Sequence, residues 1–528
     1  MPPRDLWSRS GTFWFSDQRC GLTPCSARLL FAIMTLLISL IVMSKIPEIE
    51  LWADSFHEGT WAAQGIVSEM SNPRCARENE LGFIPRYKIN SEGWKLDLVV
   101  FGGYGNWPHI PDKIAELIQW GKPDIIAYDR GTDTVLFAVE ETAAVPTGNQ
   151  ALQRCERMHG AGMMKVPFWY LLSQYGTHVD EGIRQASPWP ALMSMGITKS
   201  QRAPNLVLLY SSEEEPEDYS KGAGKQQLFA VLAAIMVNFA KGRPTLSGTE
   251  HLLETQYRAM LKFIDDTIDN VSDFFPGKEE LTAKGTPLRL AKIAAGNSSE
   301  DIPLLDWPKF ARLPVGFKER QKKSKLIKHD SFLSKLEEMK DKRSVYTLSS
   351  NAGSRPQPAS DLSEWIASQN SAEKRAPSIK PSVGFQLKIA DFPESKAGLR
   401  HVTTATNILY LCDSAKDIAD LLASVFPRLK DHLIMDSLPA LVYVSNSVKP
   451  GRVFGDPYTG QFSAFSWIFG GTSNARRLKI AYFPHQSRGL MKPEIAGKNK
   501  GQTVFTSLAD YIIFGGGAVY DTKAKIWI

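Results

Sequence analysis

Three acidic positions in one short stretch make the strongest case for chemistry in this chain: Asp124, Glu140 and Glu141. They lie in PDIIAYDRGTDTVLFAVEET, residues 123–142. Asp124 opens an apolar run, Ile125-Ile126-Ala127-Tyr128, behind Pro123, a residue suited to the start of a strand. Glu140 and Glu141 close a second run, Val135-Leu136-Phe137-Ala138-Val139. Between the runs, Asp129-Arg130-Gly131-Thr132 carries turn chemistry, with Gly131 able to take a positive φ. An antiparallel hairpin about Gly131 and Thr132 returns the chain so that Asp124 lies beside Glu140 and Glu141. Two carboxylates about one strand spacing apart can share a divalent cation. Such an ion can polarise a phosphodiester and activate a water.

The elements after the hairpin must hold this pair in place. Pro146-Thr147-Gly148-Asn149 reads as a loop, and a helix is predicted to begin near Asn149. Its first turns carry Gln150, Gln153, Arg154 and Arg157, with Gln150, Arg154 and Arg157 on one face. Because the helix starts where the second strand ends, Gln150 and Arg154 should hang over the carboxylates. The helix N-terminus also favours a phosphate. Residues 166–172, VPFWYLL, then return as a strand parallel to the second.

This order resembles the PD-(D/E)xK nuclease superfamily, the fold of many type II restriction endonucleases. The matching residues are Pro123-Asp124, then Glu140-Glu141-Thr142 after a short hairpin, then the glutamine-bearing helix; the likeness covers roughly residues 55–210. It implies an α/β fold with a restriction-endonuclease-like mixed sheet core flanked by helices. It implies a Mg²⁺-dependent endonuclease cleaving double-stranded DNA, with Asp124 and Glu140 as metal ligands. Glu141 takes the place of Glu140 if the register shifts by one. The family also has an optional acid in its first helix, here Glu58 or Glu69. Double-stranded DNA is the implied partner; a homodimer and a cognate DNA methyltransferase go with the class.

The chain departs from the family pattern at one position. Glu140 and Thr142 share a strand face, and Thr142 stands where the family has its lysine. A hydroxyl cannot supply that positive charge. Arg154 can supply it from the helix; Lys165 is a second candidate, at the wrong end of the sheet for this task. A catalytically inactive nuclease scaffold that binds DNA, or serves as a defence-associated interaction protein, is the rival reading.

The whole-chain numbers set looser bounds. At 528 residues there is room for two or three domains, and 43% hydrophobic with 22% charged residues is ordinary globular composition. Net charge of +6 is compatible with a DNA partner without demanding one. Five cysteines, at 20, 25, 75, 155 and 412, show no metal-ligand spacing and fit a reducing compartment. No zinc motif or internal repeat is present, and Gly515-Gly516-Gly517 lacks phosphate-loop spacing.

The expected organisation has four parts. Residues 1–42 form an apolar extension containing the run Leu29–Met43, too short to span a bilayer comfortably. Met43 opens a sensible protein of its own, so the extension reads as upstream sequence from an early start, and the protein as cytoplasmic. A membrane anchor through residues 29–43 or a cleaved signal are the alternatives. Residues 43–275 form the nuclease-like domain. Residues 276–382 combine a charged helical segment, including KERQKKSKLIKH at 318–329, with a polar linker. Residues 383–528 form a second α/β unit. In it Asp456 and Lys479 make a weak second acid–lysine pair, and His485 has no metal-ligand neighbour in sequence.

Overall fold

In a computed structural model of the protein, the described residues are 46–70, 74–80, 84–142, 148–177, 183–186, 188–210, 223–268, 283–298, 408–412, 423, 427, 440–445, 458–470, 479–484, 500–513 and 519–527. The run Leu29–Met43, the basic stretch 318–329, the linker 344–382, the boundary at 383, Asp456, His485 and Gly515–Gly517 all lie outside them. Contacts divide the chain into Met1–Pro47 and Glu48–Ile528.

The main sheet of the second unit has eight strands. They are β1 (Glu48–Ala53), β2 (Arg74–Glu80), β3 (Ile84–Ser91), β4 (Trp94–Phe101), β5 (Ile125–Asp129), β6 (Thr134–Thr142), β7 (Phe168–Ser173) and β10 (Asn205–Tyr210), ordered β10-β7-β6-β5-β1-β4-β3-β2. A separate two-stranded ribbon joins β8 (Tyr175–Thr177) and β9 (Ile183–Gln185). The sheet is mixed: β6, β7 and β10 are parallel neighbours, β1 is parallel to β4, and β5 runs antiparallel to both β1 and β6. The C-terminal ends of β1, β4, β6, β7 and β10 therefore share one edge of the sheet with the start of β5. Every residue of β5 and β7 is buried, as expected for central strands covered on both faces.

Helices provide that cover. They are α1 (Phe56–Ser68), α2 (Asp112–Ile118), α3 (Gly148–Gln153), α4 (Cys155–Met163), α5 (Trp189–Gln201), α6 (Ala223–Ala240), α7 (Glu250–Ile268) and α8 (Thr286–Ala294). Helix α1 starts at an N-cap, where Ser55 Oγ accepts the Glu58 N–H at 3.2 Å. It packs on β1, β4 and α6, while α4 packs on β7 and α5. Among the described residues no helix is long and apolar enough to cross a membrane.

The hairpin of β5 and β6 and the parallel return of β7 are both present. Its turn differs in one detail: the positive φ belongs to Asp133 (51°), and Gly131 does not need one. Asp129 explains this. Its Oδ1 accepts the Gly131 N–H at 2.8 Å and its Oδ2 accepts the Thr132 N–H at 3.2 Å, so an aspartate side chain folds the turn instead of a left-handed glycine.

A six-stranded sheet lies nearer the C-terminus: β11 (Ile408–Cys412), β12 (Ala440–Ser445), β13 (Lys479–Pro484), β14 (Tyr511–Ile513), β15 (Val519–Asp521) and β16 (Ile526–Trp527), in that order. With it go α9 (Tyr458–Gly470) and α10 (Lys500–Leu508). Helix α9 packs against α10 and also against α3, α4 and α5. The described fold is thus α/β, with a mixed main sheet flanked by helices.

Candidate functional site

The site lies at the sheet edge where β6 ends and β5 begins. Asp124 precedes β5, and its Oδ2 accepts the Glu141 N–H at 2.6 Å. This one bond fixes the carboxylate beside the last residues of β6. Burial pushes the Asp124 carboxyl up to about 6; the Glu141 N–H and Arg157 pull the other way, Glu58 raises it further and Arg154 lowers it. Tyr104 is wedged beneath the same strand ends, donating to Pro123 O at 3.0 Å, and its burial raises its phenol well above the ordinary value.

Alternation along β6 sends its two glutamates to opposite faces. Glu140, fully buried, meets α4: Arg157 Nη1 pairs with its Oε1, and Arg154 Nε lies 3.3 Å from the same oxygen. Glu141 meets α6: its Oε1 lies 3.2 Å from Lys225 Nζ. Lys225 is only 1% exposed and sits over the Tyr210 ring at 4.2 Å and the Trp61 ring at 5.7 Å. Both faces of the strand end thus bring cations to carboxylates.

Thr142 shares the Glu140 face, as its spacing requires. It is buried, and its Oγ1 lies 3.1 Å from the Tyr170 hydroxyl, which also donates to Ala151 O at 3.0 Å. The lysine position of the resembled motif is therefore filled by a small residue backed by a tyrosine.

The helix expected over the carboxylates is broken. It ends as α3 at Gln153 and resumes as α4 at Cys155, with Arg154 as the junction residue. The break turns Arg154, 39% exposed, and the buried Arg157 toward Glu140. Gln153 is half-buried next to Arg154; the Gln150 side chain lies outside the described residues. Of the two candidate acids in the first helix, Glu58 is in the first turn and close enough to influence Asp124, whereas Glu69 caps the far end of the thirteen-residue helix. Lys165 is exposed in the turn that enters β7, at the opposite end of the sheet.

The chain matches no known family model, no curated protein and no solved structure. The chemistry of the site therefore rests on its own geometry.

Lys225 was not singled out by sequence reasoning. Several elements separate it from Glu141 along the chain, β7, α5 and β10 among them, and its local sequence, GAGKQQLF, reads as an ordinary helix start. Its one local signal is a lone charge at the head of a long apolar helix.

Whether the site can take a divalent cation turns on the carboxylates. Among the described residues, no group of three or more His, Cys, Asp and Glu side chains could hold a metal ion. Magnesium does not require one: it keeps several waters and binds through one or two carboxylates together with substrate phosphates. Glu140 Oε2 is buried with no hydrogen-bond partner among the described residues, an acceptor that such an ion would satisfy. Asp124 presents a desolvated carboxyl at the same strand end. The two carboxylates fit the one or two protein ligands that a magnesium ion takes.

Proposed function

We propose that this protein is a Mg²⁺-dependent endonuclease that cleaves double-stranded DNA, of the type II restriction kind. The observation that carries this reading is the Asp124–Glu141 hydrogen bond. It brings an acid at the start of one strand beside the end of the next, whose buried Glu140 meets two arginines from the following helix, at the edge of a mixed sheet. Restriction-endonuclease-like identity, DNA as partner, a homodimer, a methyltransferase companion and a cytoplasmic place all belong to the proposal.

Asp124 and Glu140 would hold the ion. When bound, magnesium supplies Lewis-acid polarisation of a phosphoryl oxygen and lowers the pKa of a water on it. The remaining work falls to the protein. The Glu141 N–H fixes the Asp124 carboxylate. Arg157 compensates the buried charge of Glu140. Arg154, half in solvent, can leave Glu140 and donate to a phosphate oxygen as charge builds there. Lys225 pairs with Glu141 on the opposite face and so helps to fix the end of β6. Gln150 and Gln153, by their position at the head of this helix, would orient a water or a phosphate oxygen.

A second reading has its own support. Glu140 is paired with two arginines and Thr142 is closed off by Tyr170, which suits a scaffold that keeps the fold and binds DNA without cutting it.

Incubation of the full chain with plasmid and genomic DNA, with and without Mg²⁺, beside an Asp124→Ala control, separates the two. Discrete fragments that need Mg²⁺ and vanish in the variant are the expected result. Intact DNA from a folded protein that still retards it on a gel would overturn the enzyme and favour the scaffold.

A further inference from the structure

Helix α9 meets the candidate site at its most sensitive point. A Cβ at Gly460 would collide with Leu152 O and come within 2.7 Å of Gln153 O. No side chain fits between these backbones, so α9 presses directly on the last residues of α3. That is the place where the helix breaks and Arg154 forms the junction. Carbonyls at a helix end lack intrahelical partners, and here a second helix closes over them.

Further along, a chain of hydrogen bonds ties α4 to both C-terminal helices. Trp467 Nε1 lies 2.9 Å from His159 Nδ1, and His159 Nε2 lies 2.8 Å from Ser507 Oγ. An indole N–H can only donate, so Nδ1 accepts and the imidazole proton sits on Nε2, pointing at Ser507. Ser507 is arranged to receive it, because its own hydroxyl donates to Val504 O at 2.7 Å. His159 is 1% exposed and lies edge-on to Trp120 at 5.2 Å. It is two residues from Arg157 on the same helix.

We propose that the C-terminal helices brace the arginine pair: Gly460 seats α9 on the α3–α4 break, and the Trp467–His159–Ser507 chain fixes α4, so that Arg154 and Arg157 are held on Glu140. Gly460, His159 and Trp467 are positioning residues; none touches the carboxylates. The candidate site is accordingly built from two distant parts of the chain, and its cations keep their aim only while the C-terminal sheet is docked. This inference rests on the nuclease reading for one arm of its test only.

Three variants of the full chain test it. Gly460→Val drives a wedge into the α3–α4 break. Trp467→Phe keeps the ring and removes the donor. His159→Gln keeps an acceptor for Trp467 and a donor for Ser507. Hydrogen exchange should speed up about tenfold across residues 148–163 in Gly460→Val and Trp467→Phe, with β1, β4 and β10 unchanged and His159→Gln like the parent. In the cleavage assay the same two variants should lose about a hundredfold in kcat with KM for DNA unchanged, because misaimed groups cost rate rather than binding. Exchange that stays at the parental rate in α4, or that rises uniformly over the whole chain including through unfolding, would overturn the brace. If the parent does not cut DNA, the nuclease reading fails and the exchange pattern alone decides the brace.

Discussion

Asp124 Oδ2 and the Glu141 N–H, 2.6 Å apart, join the two ends of the β5–β6 hairpin on the edge where the parallel strands finish. The bond holds a carboxyl in a place where water cannot fully solvate it, and its pKa rises to about 6. Ionisation of Asp124 is thus costly to the fold.

That cost has a sign. The folded-state value lies above the unfolded one, so the stabilising contribution is complete below about pH 4 and is lost as pH rises through about 6. Asp124→Asn keeps an acceptor for Glu141 and removes the charge. It should raise metal-free stability at pH 7.5 by at most about 3 kcal/mol and have little effect near pH 4. Urea unfolding at the two pH values checks this. Stabilisation by added Mg²⁺ should run the other way, present at pH 7.5, fading below pH 6, and absent in the variant.

Glu140 and Arg157 should behave as one buried unit. Arg157→Met leaves the buried Glu140 with the half-exposed Arg154 alone and should destabilise by up to about 3–5 kcal/mol, and Glu140→Gln, which removes the carboxylate that both arginines share, should also destabilise. The double variant should recover a large part of that loss. A double-mutant cycle in urea measures the coupling; additive losses would mean that the pair is not held as described.

Lys225 tests the opposite face of the strand end. Lys225→Met preserves the aliphatic stem between Tyr210 and Trp61 and removes the charge beside Glu141. The loss should appear in stability, and cleavage by the folded variant should change little, because Lys225 lies on the strand face opposite Glu140 and Thr142. Lys225→Arg should also destabilise, because a planar guanidinium is a different shape from an ammonium packed over a ring at 4.2 Å. Urea unfolding and single-turnover cleavage by folded variants are the measurements.

Restoring the motif lysine should fail. Thr142→Lys must place a long side chain where Thr142 contacts the Tyr170 hydroxyl in a buried pocket. Overpacking should cost about 1–3 kcal/mol, with no gain in cleavage. A more active variant would show that the strand position still serves.

Much of the local arrangement was legible in the sequence because it depends on short-range rules. The apolar runs on either side of Asp129–Thr132 fix the hairpin, and strand alternation places Glu140 and Thr142 together and Glu141 opposite. The sequence placed Arg154 in the helix after β6 and over the carboxylates, but as part of one continuous helix, which the structure breaks at that residue. The turn was harder to read: a glycine was available, yet the Asp129 side chain supplies the bonds and Asp133 takes the positive φ.

What tertiary structure decided lies beyond the reach of any local pattern. Lys225 reaches Glu141 because α6 packs across the sheet, and nothing near residue 225 records its partner. The break at Arg154 is covered by a helix far later in the chain, whose Gly460 admits backbone against backbone. Nor could sequence alone separate the buried Glu140 from its more exposed neighbour Glu141. Strand alternation assigned each residue to its face, since that follows from a fixed backbone period. Which cation each carboxylate meets was settled only by packing, because opposite charges from remote segments find each other through the fold and not along the chain.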